Sequence, residues 1–114
     1  NAVFMVGYVI SVAAAALQWE ADRQAHRFRR ENPGKVCRTG LWKCSRHPNY
    51  LGEILMWWGV GIMYVSLVQS HWFTLFGAVA VTLLFLLVSI PMMEKRELAR
   101  KPEYAEYKKM TRML

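Results

Sequence analysis

Residues 54–93 form a run of forty positions without a single Asp, Glu, Lys or Arg, and this run constrains the chain more than any other feature. As one α-helix it would extend roughly 60 Å at about 1.5 Å per residue, about twice the hydrocarbon thickness of a bilayer, so it suits two crossings joined by a turn. Gln69, Ser70 and His71 form its only polar cluster and place that turn, dividing residues 51–68 from residues 72–93. Residues 2–19 are also uncharged, rich in Val, Ala, Leu and Phe, and long enough for a third span. The alternative is a water-soluble bundle of buried helices. Such helices normally keep a polar stripe, and residues 72–93 offer only Thr74, Thr82 and Ser89.

The charges are as segregated as the apolar residues. All 15 Lys and Arg fall in two blocks, eight from Arg23 to Arg46 and seven from Lys95 to Arg112. Three crossings put both blocks on one side. Because cationic residues collect in cytoplasmic loops near helix ends, the connector over residues 20–50 and the tail over residues 94–114 are both expected in the cytoplasm. The expected architecture is therefore all-α: a single polytopic membrane domain over residues 1–114, with three transmembrane helices, a cytoplasmic connector and an interfacial C-terminal helix. The net charge of +7 is accounted for by this topology and by contact with anionic headgroups. A nucleic-acid partner is not expected, since no aromatic-interleaved basic platform lies outside the spans. The apolar content of 54% excludes intrinsic disorder, and two cysteines are too few for a disulfide-stapled module or a zinc ribbon. Cytoplasmic placement implies reduced thiols at Cys37 and Cys44. The first residue is Asn1 rather than Met, so the chain reads as the C-terminal part of a longer protein.

Along the chain, the first helix should continue past Trp19 to Arg30 and stop at Asn32-Pro33-Gly34, a Pro and Gly exit after a cationic last turn. Residues 35–44 read as a loop whose Leu41 and Trp42 can dip into the membrane interface. Ser45-Arg46-His47-Pro48 then opens a helix with proline in its first position. Pro91 should kink the last span before Glu94. In the tail, Tyr104, Tyr107, Met110 and Leu114 recur at helical spacing among charges, which suggests a helix along the interface, with a solvated charged tail as the alternative.

Glu53 is the sharpest candidate for chemistry, because a carboxylate in the first turns of a span is expensive. On a helix starting at Pro48, Asn49 and Glu53 share a face, and Arg46 and Tyr50 form a neighbouring pair. The helix start adds free N–H groups and a positive dipole end beside Lys43, Arg46 and His47, which outlines an anion site. Arg27, Arg29, Arg30, Lys95 and Arg96 lie on the same side, and their sum would suit a polyanionic cofactor. The alternatives are that Glu53 pairs with a cation at headgroup level and that each arginine contacts lipid phosphates. No metal site is expected: Cys37, Cys44 and His47 match no zinc-knuckle spacing and lack a fourth ligand. Nothing orients a Cys44–His47 nucleophile pair. With no strand pattern there is no dinucleotide-binding βαβ unit. Trp57-Trp58-Gly59-Val60-Gly61 reads as an interface belt and a close helix contact.

At Gly40-Leu41-Trp42, at Ser45-Arg46-His47-Pro48-Asn49-Tyr50-Leu51-Gly52-Glu53 and at Trp57-Trp58-Gly59, the chain resembles the steroid 5-alpha-reductase C-terminal domain family. The likeness continues through Glu20-Ala21-Asp22-Arg23-Gln24, Phe28-Arg29 and Asn32-Pro33-Gly34-Lys35 upstream, and through Ile90-Pro91-Met92-Met93-Glu94-Lys95-Arg96 and Tyr104-Ala105-Glu106-Tyr107 downstream. The run around Pro48 is shared with a wider superfamily of sterol reductases and isoprenylcysteine carboxyl methyltransferases. The resemblance implies a pocket at the cytoplasmic helix ends that takes NADPH in the reductase branch. It would be lined by Asp22 and Arg29 from the connector side, Asn49 and Glu53 from the helix, and Glu94 and Arg96 from the closing segment, with Arg46, His47 and Tyr50 in the same motif. It also implies that the groups polarising a substrate carbonyl lie in an N-terminal half, so the isolated chain is expected to be inactive.

Three functions follow as expectations. The first is an NADPH-dependent reductase of a conjugated C=C bond in a steroid-like or other lipid within the membrane. The second is a methyltransferase using S-adenosylmethionine on a lipid or prenylated substrate. The third is a non-catalytic membrane scaffold whose basic connector binds anionic lipid.

Overall fold

The computed structural model describes all 114 residues, and they form helices and short connections without a strand. Helix α1 spans Ala2–Glu31, and the Asn1 side chain caps it by accepting the Phe4 N–H at 2.7 Å. It ends at Asn32, and Gly34 turns the chain with φ of +78°, a conformation that a β-carbon disfavours. A single turn, α2 (Leu41–Cys44), interrupts the connector that the sequence suggested was a plain loop. Helix α3 covers Pro48–Leu67 with Pro48 in its first position, as its missing N–H favours. The expected turn at Gln69 to His71 is a 3-10 helix, Gln69–Thr74, and it leads into α4 (Leu75–Leu84). A π-helical turn, Phe85–Ser89, joins α4 to α5 (Ile90–Arg100), and α6 covers Tyr104–Met110.

Pro91 acts one turn earlier than its position suggests. A proline has no N–H to donate and its ring crowds the carbonyl four residues back. The structure widens the preceding turn, so that the Ile90 N–H bonds the Phe85 carbonyl five residues back.

Three helices are long and apolar enough to cross a membrane: Ala2–Glu31, Pro48–Leu67 and the composite Gln69–Arg100. Only nine apolar residues are buried, while Val3, Val6, Val9 and Val12 on α1 and Leu83, Leu84 and Leu87 on the third span face outward. That distribution suits an apolar solvent and leaves the water-soluble bundle without a core. The molecule measures 49 Å along its longest axis against about 30 Å for a bilayer core, so one end of the bundle can project beyond it.

Helices α1 and α3 pack through small residues. Gly7, Ala14 and Ala21 recur at seven-residue intervals along α1 and are buried, as are Gly52 and Gly59, seven apart on α3. The helices run antiparallel. A β-carbon on Gly7 would lie 2.6 Å from the Gly59 carbonyl oxygen, and one on Gly52 would lie 2.9 Å from that of Ala14. Where lipid removes the hydrophobic drive between helices, such close backbone approach supplies the packing energy. The close contact read from Gly59 is therefore present. Helix α4 is tied to α3 by the Trp58 indole N–H, which donates to Thr82 Oγ1 at 2.8 Å.

A candidate anion-binding cavity at the connector end of the bundle

The connector is built into the protein. Trp42 is 8% exposed and its indole N–H donates to the Ala21 carbonyl of α1 at 3.0 Å. This corrects the expectation that Trp42 dips into the interface: its polar edge has a partner on α1, so the ring stays inside. The tail returns over the same segment. Tyr104 and Tyr107 of α6 are buried with Val36, with Leu98 packed alongside. The Tyr107 hydroxyl approaches the carbonyls of Trp42 at 2.5 Å and Ser45 at 3.1 Å, the Arg46 N–H donates to the Arg112 carbonyl at 3.0 Å, and Arg112 Nε donates to the Cys44 carbonyl at 3.2 Å. The aromatic face of the C-terminal helix thus covers the connector, while Met110 remains exposed. Burial pushes the hydroxyls of Tyr104 and Tyr107 well above the usual phenol range, and the Glu94 charge adds to this at both.

Beneath the tail lies a buried ionic cluster. Glu94, 3% exposed, receives Arg46 Nη1 at 2.6 Å, His47 Nε2 at 2.9 Å and the Tyr104 hydroxyl at 3.3 Å on its Oε2, and Lys108 Nζ stands 3.8 Å from its Oε1. Arg46 Nη1 is in direct ion-pair contact with Glu94, and Arg46 Nε is buried without a hydrogen-bond partner. His47 is fully buried and stacks on Tyr50 with ring centroids 5.4 Å apart, and Tyr50 in turn meets Phe85 of the π turn at 5.1 Å. Burial pushes the His47 imidazole below its ordinary range, against the pull of the Glu94 carboxylate, which favours the neutral ring carrying its proton on Nε2. Its Nδ1 is then a buried acceptor with no partner, and Asn49 Oδ1 is another.

A cavity of about 160 Å³ opens beside this cluster, walled by α1, the connector, the start of α3, α5 and the tail. Its polar wall is cationic in balance: Arg29, Lys35, Arg46 and Lys101 against Asp22 and Glu97, a difference of 4 − 2 = 2 positive charges. Lys101 is paired with Glu97 at 3.3 Å, so Arg29, Lys35 and Arg46 are the groups left to receive an anion.

The sequence matches the family described as Protein of unknown function (DUF1295) over residues 1–111. The chain belongs to the DUF1295 family. No curated protein and no solved structure matches it.

Of the residues singled out in this DUF1295 chain, Asp22, Arg29, Arg46 and Asn49 meet at the cavity wall, drawn from α1, the connector and α3. Glu94 and His47 stand behind Arg46 and are not part of the wall, and Tyr50 supports His47 from the far side. The pairing of Arg46 with Tyr50 does not form: Arg46 turns to Glu94 and Tyr50 to His47. Glu53, half-buried on α3, and Arg96, exposed on α5, do not line the cavity, and Arg27 pairs with Glu31. Lys35, Cys37, Glu97, Lys101, Tyr104 and Tyr107 line it without having been singled out as site residues. The spacing of the two tyrosines was visible, but a stripe at helical period does not say whether lipid or protein will cover it.

The group that the family likeness implies is a phosphate-bearing dinucleotide, and the wall fits its polar part. Arg29, Lys35 and Arg46 in the wall are donors suited to phosphate oxygens, and Asn49 adds an amide. The volume is below the roughly 300–1,000 Å³ of an ordinary small-molecule site, so the cavity has room for only part of such a ligand.

Proposed function

We propose that this chain is the cofactor-binding part of an NADPH-dependent membrane reductase acting on a conjugated C=C bond of a lipid, with the connector and tail in the cytoplasm. DUF1295 is associated with steroid 5-alpha-reductase-like proteins, which supports this reading from the family side. The observation that carries it is the convergence of Arg29, Lys35 and Arg46 on one cavity wall with excess positive charge at the helix ends.

The chain's own residues divide the work. Arg29, Lys35 and Arg46 hold phosphates, and guanidinium is suited to this because its planar fork matches two phosphate oxygens at once. Asp22 and Asn49 offer an acceptor and an amide for ribose hydroxyls or a carboxamide, and Glu53, one turn beyond Asn49, extends that polar face along α3. NADPH supplies a hydride when bound. Trp42, Tyr104 and Tyr107 form the apolar part of the wall and keep water from the charged groups behind them.

The cationic wall favours a phosphate-rich ligand over S-adenosylmethionine, whose sulfonium would meet like charge. The test is equilibrium binding of NADPH to the protein in lipid nanodiscs with labelled S-adenosylmethionine as competitor. The reading expects saturable NADPH binding that Arg29→Ala and Asn49→Ala weaken and that S-adenosylmethionine does not displace. Tight S-adenosylmethionine binding with no NADPH binding would replace it by the methyltransferase. Binding of neither, with membrane association set only by net charge, would leave the scaffold.

A further inference from the structure

We propose that Glu94 is a positioning residue for anion capture, holding the Arg46 guanidinium from behind the cavity wall so that its remaining N–H groups stay free for an incoming phosphate. The proposal rests on reading the cavity as a phosphate receptor and adds how the receptor is set.

The carboxylate is held by side chains from two other segments. It sits on α5, and Oε2 meets Arg46 and His47 from the segment before α3 and the Tyr104 hydroxyl of α6, with Lys108 of α6 near Oε1. It is 3% exposed and does not line the cavity, so it cannot itself serve as the ligand's partner without breaking those contacts. Arg46 is 7% exposed, and a guanidinium buried this far requires a counter-charge. Glu94 provides one, its Oε2 lying 2.6 Å from Nη1. A counter-ion that only neutralised Arg46 would be expected in the bidentate geometry that consumes the fork. Here the carboxylate holds Nη1 while Arg46 lines the cavity, so the rest of the guanidinium is left to the cavity side.

The two roles differ in sign. A carboxylate that merely neutralises Arg46 weakens the positive field at the cavity, so removing its charge would leave anion binding unchanged or tighter. A carboxylate that positions Arg46 makes anion binding weaker when its charge is lost, because the guanidinium is freed to rotate. The experiment is titration of the full chain in nanodiscs with inorganic pyrophosphate, and separately with NADPH, for wild type, Glu94→Gln and Glu94→Asp. Glu94→Gln keeps the shape and the hydrogen bonds to His47 and Tyr104. It should weaken pyrophosphate binding by roughly tenfold, the scale of one charge-assisted contact, and Glu94→Asp should restore part of the loss. Unchanged or tighter binding to Glu94→Gln overturns the proposal. If that variant does not fold, Glu94→Asp decides alone, since it keeps the charge but draws the carboxylate back from Arg46: weaker pyrophosphate binding than wild type supports the proposal and wild-type binding overturns it. A wild-type protein that binds pyrophosphate but not NADPH defeats the reductase reading while the Glu94 comparison still decides this one. Binding of neither overturns both.

Discussion

The Tyr107 hydroxyl lies 2.5 Å from the Trp42 carbonyl and 3.1 Å from that of Ser45, so one tail phenol closes off the end of α2 and the segment leading into α3. The Trp42 carbonyl is one that a four-residue helix leaves without an internal partner, and the Ser45 carbonyl follows just after that helix.

Tyr107→Phe removes this contact and keeps the packed ring. Leaving buried carbonyls unpaired costs about 1–3 kcal/mol. The tail after Arg100 should exchange its amide hydrogens faster and be cleaved more readily by protease, while α1 and α3 keep their protection. Equal protection of the tail in variant and wild type would show that Val36 and Leu98 hold it alone.

Gly59→Ala tests the α1–α3 contact. Its β-carbon would lie 2.8 Å from the Gly7 carbonyl oxygen and 2.9 Å from the Ser11 nitrogen, both backbone atoms that cannot swing aside. Overpacking of this kind costs about 1–3 kcal/mol. Thermal unfolding in detergent should occur at a lower temperature, whereas Gly77→Ala, which meets nothing within 4 Å, should be neutral or stabilising. Equal melting of the two variants would mean that the helices are not packed this closely.

Two arginines that looked equivalent in the sequence should differ. Arg29 lines the cavity and Arg96 does not. Arg29→Ala should weaken NADPH binding by roughly tenfold or more, one charge-assisted contact, and Arg96→Ala should leave it within about twofold on the same scale. The reverse order, read by fluorescence or calorimetric titration, would place the phosphates elsewhere.

Acid should loosen the cluster through His47. Facing it are Glu94 of α5, Arg46 beside it, Tyr50 of α3, and Tyr104 and Lys108 of α6. Burial holds the folded imidazole below its ordinary value, so on acidification the unfolded chain takes up the proton first, near about pH 6.5. Stability contributed by the neutral ring is therefore complete above that pH and is lost as pH falls towards the folded value. His47→Gln, which keeps a donor for Glu94 and cannot titrate, should flatten this limb of a melting-temperature profile below about pH 6.5, where the unfolded imidazole begins to take up its proton. A wild-type profile already flat there would refute the assignment.

The amount legible in the sequence follows from the range of the forces involved. Apolar runs, helix starts and exits and the turn near Gln69 are local, and they emerged within a few residues of where they were expected. The small residues on α3 were readable for the same reason: a glycine in a lipid-facing helix has few other uses. The site was legible by membrane side but not by contact. Asp22, Arg29, Arg46 and Asn49 do converge, yet Glu53 and Arg96 fall outside the wall, because a shift of one position around a helix turns a side chain by about 100°.

By itself, then, the sequence determined three apolar helices, their breaks, and the collection of cationic residues at one end, since each depends on the solvent that a segment prefers. Only the tertiary structure decided that α6 would turn its tyrosines onto Trp42 and Val36, that the π turn would set Phe85 against Tyr50, and that Glu94 rather than Tyr50 would take Arg46. Those choices join residues 35 to 71 positions apart along the chain, and a buried charge selects its partner by where the packed helices put it, which no local pattern records.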